Sequence, residues 1–330
     1  MDIVHIGDVN FYKRAIIKLS ADHEIVITVL KRGNLADIVK KEFPKLEVIQ
    51  IGNHRSSKVG KIIGTIEREV KFISLFIGRK FDRITSFGFY PAVAGKLFGI
   101  KSILFHDDIE YNQMFYLCSK FGDKFIVPEP INFSGKNIIK YPGFKELASL
   151  YHFKPNNKVL KEYGIQEDKY VFVREISPIS LNYDHHKRIN LTKTFEMLKN
   201  QGYTILYYPE KEEYWNNYRL LCRLVKIPVF EIHSLLYYAK FNISAGDGIS
   251  RESSILGTPI IYTGGRNMQI LNPLVEINGI IVANNEEDVE NSSKKLLQNK
   301  PKINLRKKVK KKLEKNWPDW AQIIVKEVLK

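Results

Sequence analysis

The sequence predicts an α/β protein built from two doubly wound, Rossmann-like domains in tandem. Three observations carry that expectation. Short β-branched runs alternate with amphipathic segments along the whole chain, the alternation breaks once at Tyr141-Pro142-Gly143, and Phe241–Tyr262 reads as strand, glycine turn, helix, strand. Strands and helices alternating at these lengths imply parallel sheets covered on both faces. Right-handed crossovers then place the loops that follow the strands along one edge of each sheet.

In the first half, strands are expected at Ile3–Ile6, Glu24–Val29, Leu46–Ile51, Arg83–Ser86, Ser102–Phe105, Lys124–Val127 and Ile138–Tyr141. Helices such as Phe11–Leu19, Lys61–Ile77 and Ile109–Lys120 join them. Residues 1–145 form the first domain, and Glu146–Pro155 reads as the linker into a second domain at 146–315. There strands are expected at Tyr170–Val173, Thr204–Tyr208, Val229–Ile232, Phe241–Ala245, Ile260–Tyr262 and Ile280–Val282, with a helix at Asn190–Asn200. Leu305, Val309, Leu313 and Trp317 recur every four residues, the mark of one helical stripe. Pro318 suits the first turn of a new helix with Asn316 or Trp317 near its cap. Residues 316–330 are therefore expected as a terminal helix crossing back to the first domain. Two domains facing each other through their loop edges enclose a cleft, the expected place for a site.

A chain of 330 residues is long enough for two such domains, and 44% hydrophobic with 27% charged residues excludes a disordered chain. Of the net charge of +16, half of the excess lies between Lys300 and Lys315, with nine Lys or Arg and one Glu. Such a run marks either an anionic partner (membrane surface, polyphosphate or nucleic acid) or a solvated lysine-rich helix. Val70–Phe81 also pairs an apolar face with Lys71, Arg79 and Lys80, which reads as a lipid-docking helix or as a core-facing one. No stacking-plus-basic module is present, which disfavours nucleic acid. Cys118 and Cys222 lie far apart outside any metal or redox motif and are expected as buried thiols. MDIVHIG enters a strand with no leader, and no apolar run approaches the roughly 18 residues of a membrane span, so a cytoplasmic protein is expected, with peripheral membrane contact through 300–315 left open.

The turn Gly246-Asp247-Gly248 lies at the carboxyl end of a strand, where open α/β sheets bind ligands. Its glycines admit close backbone approach, and the amides of the new helix face an anion. Glu252, one turn into that helix, can accept from a ribose diol. Arg174-Glu175 after one strand and His185-His186-Lys187-Arg188 before the next helix offer a cationic loop for a diphosphate, or simply solvated charge. Gly264-Gly265-Arg266 is a further sugar or phosphate candidate. In the first half, His106-Asp107-Asp108-Ile109-Glu110 follows a strand on the same functional edge, where a histidine beside carboxylates suits a general base. The alternative is that an Asp there caps the next helix. Glu129, held between Pro128 and Pro130, is a second positioned carboxylate. Neighbouring residues rarely chelate together and no Asp-x-Asp pair is present, so no metal site is expected.

Ser86-Phe87-Gly88, His106–Glu110, Pro128-Glu129-Pro130, Tyr141–Ala148, Ile232–Ala239 and Gly246–Pro259 jointly resemble a mostly archaeal family of GT-B-like proteins. That family is described as a domain of unknown function and predicted glycosyltransferase. The chain is more distantly similar to non-hydrolysing UDP-N-acetylglucosamine 2-epimerases and to the transferase that completes the peptidoglycan lipid precursor. The resemblance implies a GT-B fold with the sugar nucleotide on the second domain. Glu252 would hold the ribose hydroxyls, Gly246–Ser250 would face the diphosphate, and Ile232-His233 would border the base. Two departures stand out. The first loop, Gly7-Asp8-Val9-Asn10, is short, which leaves a ligand role for Gly7 open, and Ile249-Ser250-Arg251 replaces a further Gly or Thr, which points Arg251 either to phosphate or to solvent. The expected activity is metal-independent transfer of a sugar from a UDP-type donor, a substrate rather than a cofactor, to an acceptor that includes the lipid-linked class. An epimerase is the second reading and a nucleic-acid-binding protein the third.

Overall fold

A computed structural model of the chain describes residues 1–55, 57–176, 188–227, 231–299 and 301–330. The first half runs β1 (Asp2–Ile3), α1 (Ile6–Leu19), β2 (Val26–Lys31), α2 (Leu35–Glu42), β3 (Glu47–Asn53), α3 (Lys58–Gly78) and β4 (Arg83–Ser86). It continues with α4 (Tyr90–Leu97), β5 (Lys101–Phe105), α5 (Asn112–Phe121), β6 (Lys124–Pro128), β7 (Ile138–Tyr141) and α6 (Leu147–Leu150). The second half holds α7 (Lys158–Glu162), β8 (Tyr170–Glu175), α8 (Thr192–Asn200), β9 (Thr204–Pro209), β10 (Arg223–Leu224), α9 (Ile232–Tyr238) and β11 (Phe241–Ser244). After it come α10 (Asp247–Ile255), β12 (Ile260–Tyr262), α11 (Asn272–Glu276), β13 (Ile280–Val282), α12 (Glu286–Gln298), α13 (Pro301–Lys315) and α14 (Trp320–Leu329). These elements form two units, one of residues 1–151 with 317–330 and the other of residues 152–316.

Unit 1 departs from the single sheet that the sequence implies. Its parallel strands form two hydrogen-bonded ladders, β1-β2-β3 and β4-β5-β6-β7. The reason lies in the first strand. His5 caps α1, so the helix starts at Ile6, β1 ends at Ile3, and Gly7-Asp8-Val9-Asn10 is the first turn of a helix rather than a loop. Two residues leave too little backbone to pair on both sides, and side chains make the join instead. Buried Asp2 accepts from Thr28 of β2 at 2.8 Å, from Ser86 of β4 at 3.0 Å and from Arg68 of α3 at 2.7 Å. Apolar layers flank the ladders. Phe72, Phe76 and Ile84 pack on one side, and Leu104, Phe115 and Phe125 form another cluster. Each such side chain contributes about 1.5–3 kcal/mol by burial.

α14 belongs to this unit because polar contacts and packing tie it there. Asp319, not Asn316 or Trp317, is its cap, and Pro318 stands just outside the helix. The same Asp319 carboxylate takes a two-pronged contact from Arg14 at 2.8 and 2.7 Å. Trp320 donates to the Pro142 carbonyl at 2.9 Å. Buried Glu327 accepts from Tyr141 at 2.7 Å and from Lys124 at 3.0 Å.

Unit 2 is one parallel sheet in the order β10-β9-β8-β11-β12-β13. Counted along the unit this is 3-2-1-4-5-6, the doubly wound order whose switch point, here between β8 and β11, opens a ligand crevice. Val171, Phe195, Leu198, Tyr207, Phe241 and Ile261 are among its core residues. Within the strand expected at Val229–Ile232, residues 229–230 lie outside the described residues, and Ile232 starts α9. Three cations of the basic segment dock α13 on this unit. Lys302 pairs with Asp168 at 2.7 Å, Arg306 covers the Tyr237 ring at 3.8 Å, and Lys308 donates to the Ile277 carbonyl at 3.1 Å. Gly257, at φ +78°, ends α10 in the left-handed region, and a Cβ there would stand 2.4 Å from Arg306 Cγ. Among the described residues, no helix is long and apolar enough to cross a membrane.

Candidate functional site

In unit 2, the fully buried strand β11 delivers the chain to the sheet edge. Ser244 Oγ then locks the turn by accepting from the Gly246 amide at 2.9 Å. Gly246 is the N-cap of α10 and, having no side chain, makes no side-chain cap bond. A helix start of this kind, with no side chain from its N-cap residue over it, suits an anion, and the helix dipole reinforces this. At Gly248 a Cβ would meet nothing within 4 Å, so the space beside the helix start is open.

The side chains around this start divide between scaffold and site. Asp247 is buried, accepting from Tyr262 at 2.5 Å on one oxygen and from Arg266 at 2.5 Å on the other. It ties the loop after β12 to the helix. In that loop Gly264 allows the close approach, since a Cβ would lie 2.5 Å from the Ala245 carbonyl. The neighbouring Gly265 is exposed at φ +67°. Ser250 is buried and its hydroxyl donates back to the Gly246 carbonyl at 2.9 Å. Arg251 is 3% exposed, which excludes the solvent-facing alternative. Glu252 is half-buried, and its Oε1 lies 3.3 Å from Nε2 of His233, a buried residue of α9.

The switch point completes the edge. Arg174, at the end of β8, lies over the Tyr208 ring at 4.5 Å and donates to the Tyr208 carbonyl at 3.0 Å. Beside it, buried Glu175 accepts from Arg188 and from the Tyr207 hydroxyl. Burial and the adjacent Glu175 carboxylate push the Tyr207 hydroxyl well above its ordinary value, so it stays a donor. Val173, Arg174, Glu175, Ile189, Ala245 and Thr263 line a crevice there. His185 and His186 lie outside the described residues. Arg188, from the same cationic run, is engaged with Glu175 and stacks on the Tyr214 ring at 3.8 Å.

In unit 1 the chemistry-bearing residues also follow the strand ends. His106 is buried after β5, and its Nδ1 accepts from the Asp108 amide at 3.1 Å. Burial holds its pKa below the ordinary value despite the pull of Asp107 and Asp108. A neutral ring with Nδ1 accepting carries its proton on Nε2. With Nδ1 engaged by the amide, Nε2 is the ring's hydrogen-bond donor. Asp108 accepts from the Tyr111 amide at 3.1 Å and so closes the turn before α5, whose own N-cap, Tyr111, makes no side-chain cap bond, so the expected capping of that helix by an Asp is not seen. Asp107 is buried and pairs with Lys145 at 3.1 Å. Glu110 is half-buried in the turn before α5, and Glu129 is exposed after β6.

Three further residues escape a reading of the sequence. Asp8 Oδ2 accepts from the Val4 and His5 amides at 3.0 and 2.9 Å, closing a capping box in which His5 Nδ1 accepts from the Gly7 amide at 3.2 Å. Gly7 is thereby an element of helix capping. Burial drives the Asp8 carboxyl up to about 6, with the amide bonds and Lys145 opposing. Lys145 follows β7 on the loop that Trp320 holds, and it stands over the Phe87 ring at 5.0 Å. The signal for His5 and Asp8 was the cap-type spacing after β1. For Lys145 it was the position immediately after a strand and the Pro142-Gly143 turn.

Known proteins match this chain along its whole length. The family model described as "Protein of unknown function (DUF354)" matches residues 1–330. The uncharacterized protein MJ0665 of Methanocaldococcus jannaschii is 27% identical over 276 residues, 79% of this chain and 80% of that protein. Among solved structures, the UDP-N-acetylglucosamine 2-epimerase of Rickettsia bellii superposes with a TM-score of 0.73 at 12% identity, over 100% of this chain and 95% of that one. The UDP-GlcNAc 2-epimerase of Methanocaldococcus jannaschii, solved with UDP-GlcNAc and UDP, gives 0.72 at 13% identity over 99% and 98%. The spinosyn forosaminyltransferase SpnP gives 0.65 at 13% identity over 99% and 98%. Identities this low establish the architecture alone, that of GT-B epimerases and glycosyltransferases. With the family model spanning all 330 residues, the chain belongs to the DUF354 family and has the GT-B fold.

Proposed function

We propose that the protein is a sugar-nucleotide enzyme that transfers a glycosyl group from a UDP-type donor without a metal. One observation carries the reading: α10 begins at the side-chain-free N-cap Gly246 beside open space at Gly248, and Glu252 stands one turn further on, 3.3 Å from His233. A diphosphate is the ligand that suits the helix start, and a ribose diol suits the carboxylate. Arg174 adds cationic charge at the end of β8, a group suited to meet charge leaving on the nucleotide. UDP is favoured as the nucleotide because similar folds have been solved with UDP-GlcNAc and UDP.

A 2-epimerase is the second reading, favoured by the higher TM-scores of the two epimerases above. Incubation with UDP-GlcNAc in deuterated water separates the two. Transfer predicts no exchange at C2 without an acceptor, whereas deuterium entering C2 establishes epimerisation. If calorimetry detects no binding of UDP or its sugar conjugates, both readings fail.

A further inference from the structure

α3 is apolar on two faces. One is ordinary, with Phe72 and Phe76 in the core of unit 1 and Arg68 reaching Asp2. The other looks outward: Val59, Ile62, Ile63, Ile66, Val70 and Ile77 are 48–72% exposed. Taken with half-buried Ile73, which also packs against the core at the edge of this face, residues 59, 63, 66, 70, 73 and 77 recur in alternating steps of four and three. That is a period of 3.5, the seam of a helix packed along another helix. Every position in the seam is β-branched, with Val59, Ile66 and Ile73 on one line and Ile63, Val70 and Ile77 on the other.

Size and charge both identify the partner. The exposed stripe offers several hundred Å² of apolar surface, at or above the roughly 300–600 Å² of the largest patch on an ordinary monomer. Over a helix of 21 residues, about 30 Å long, it supplies the apolar centre of an interface near the usual ~800 Å² per partner. The seam itself is uncharged. On its flanks Arg55 and Lys71 are paired with Glu67 at 3.2 and 2.7 Å, and Arg79 with Glu47 at 2.5 Å. A neutralised rim around an aliphatic seam complements another such seam better than an anionic lipid surface. The aromatic residues that membrane-surface helices turn to lipid are here turned inward, as Phe72 and Phe76.

We propose that α3 is a dimerisation helix, on which two copies of this chain pack stripe to stripe across a two-fold axis. Such an interface is isologous and needs only self-complementarity, which a repeated aliphatic seam provides. The test is the mass in solution of the full chain. The wild type is expected to sediment at twice its 38.4 kDa at micromolar concentration. The double variant Ile66→Asp with Val70→Asp is expected at the single-chain mass with an unchanged circular dichroism spectrum, since both side chains are exposed in one chain. Ile17→Asp, 59% exposed on α1 and outside the stripe, retains the dimer. A wild type of single-chain mass, or a double variant that stays dimeric, overturns the proposal. So does a single-chain wild type that floats with phosphatidylglycerol vesicles through Ile66 and Val70, because the stripe is then a lipid face.

Discussion

His233 Nε2 stands 3.3 Å from Glu252 Oε1, joining α9 to α10 within unit 2. The two groups are close, but that imidazole nitrogen makes no hydrogen bond among the described residues. Glu252 thus packs beside His233 while its carboxylate retains acceptor capacity. Phe153 backs the His233 ring edge-on at 5.9 Å and limits its movement.

Glu252→Ala is expected to weaken UDP binding about 10- to 100-fold, the worth of a charged hydrogen bond at roughly 1.5–3 kcal/mol. His233→Ala lowers affinity less, because it loosens the carboxylate without removing it. Calorimetry on folded variants reads both. Equal affinity in wild type and Glu252→Ala removes the ribose role.

Gly248→Ala separates binding from folding. Open space surrounds the new methyl group, and alanine is favoured over glycine in a helix by up to about 1 kcal/mol, so the melting temperature holds or rises. Nucleotide affinity falls at least tenfold if the ligand lies against that backbone. Gly279→Ala should do the reverse, since its Cβ would stand 1.8 Å from Ser254 Oγ, and it should cost stability by about 1–3 kcal/mol from overpacking. A Gly248→Ala protein that binds like wild type places the ligand elsewhere.

Asp8 makes the wild type pH-sensitive in a defined direction. Its carboxyl rises from 3.8 in the unfolded chain to about 6 in the fold, chiefly through burial. Between those values the native state binds the extra proton, so stability declines as pH rises from about 4 to 6 and is flat above. Asp8→Asn keeps an oxygen for the Val4 and His5 amides and loses this decline. Denaturant titrations should show the variant equal to wild type near pH 4 and more stable by up to about 3 kcal/mol at pH 7. Parallel pH profiles would show that Asp8 does not titrate in this range.

Glu327 acts with the opposite sign. Burial alone would raise its carboxyl, yet hydrogen bonds from Tyr141, Lys124 and Lys330 outweigh burial and hold it at about 2. Its contribution is complete above about 4.5 and disappears as pH falls through 2. Glu327→Ala should cost about 2–3 kcal/mol at pH 7, with the two proteins converging near pH 2. The same variant should weaken the hold of α14 on β6 and β7, detectable as faster hydrogen exchange in residues 320–329. Exchange that does not change would mean Trp320 and Asp319 suffice to hold the helix.

The α/β class and the unit at 241–262 were legible because they rest on local information. Periodicity separates strand from helix, and glycine at 246, 248 and 257 marks where the backbone turns. His106 was legible as a candidate, but the amide that engages its Nδ1, that of Asp108 two residues on, was not. Asp247 and Ser250 read as ligand contacts, yet their side-chain atoms are engaged by Tyr262, Arg266 and the Gly246 carbonyl. A turn motif identifies where a backbone approaches a ligand and does not say which side chains the scaffold itself uses.

By itself the sequence determined the parallel α/β architecture, the glycine turn before α10 and the amphipathic character of α3. Each follows from neighbours within a turn or two of chain. Only the tertiary structure decided that Asp2 joins two ladders, that Lys145 faces Asp107, that Asp319 and Glu327 anchor α14, and that the aliphatic seam of α3 faces outward. Those outcomes depend on burial and on partners 38 to 305 residues away in sequence, as with Asp107 and Arg14. Periodicity records that a helix has an apolar face, but only packing selects which face the core covers.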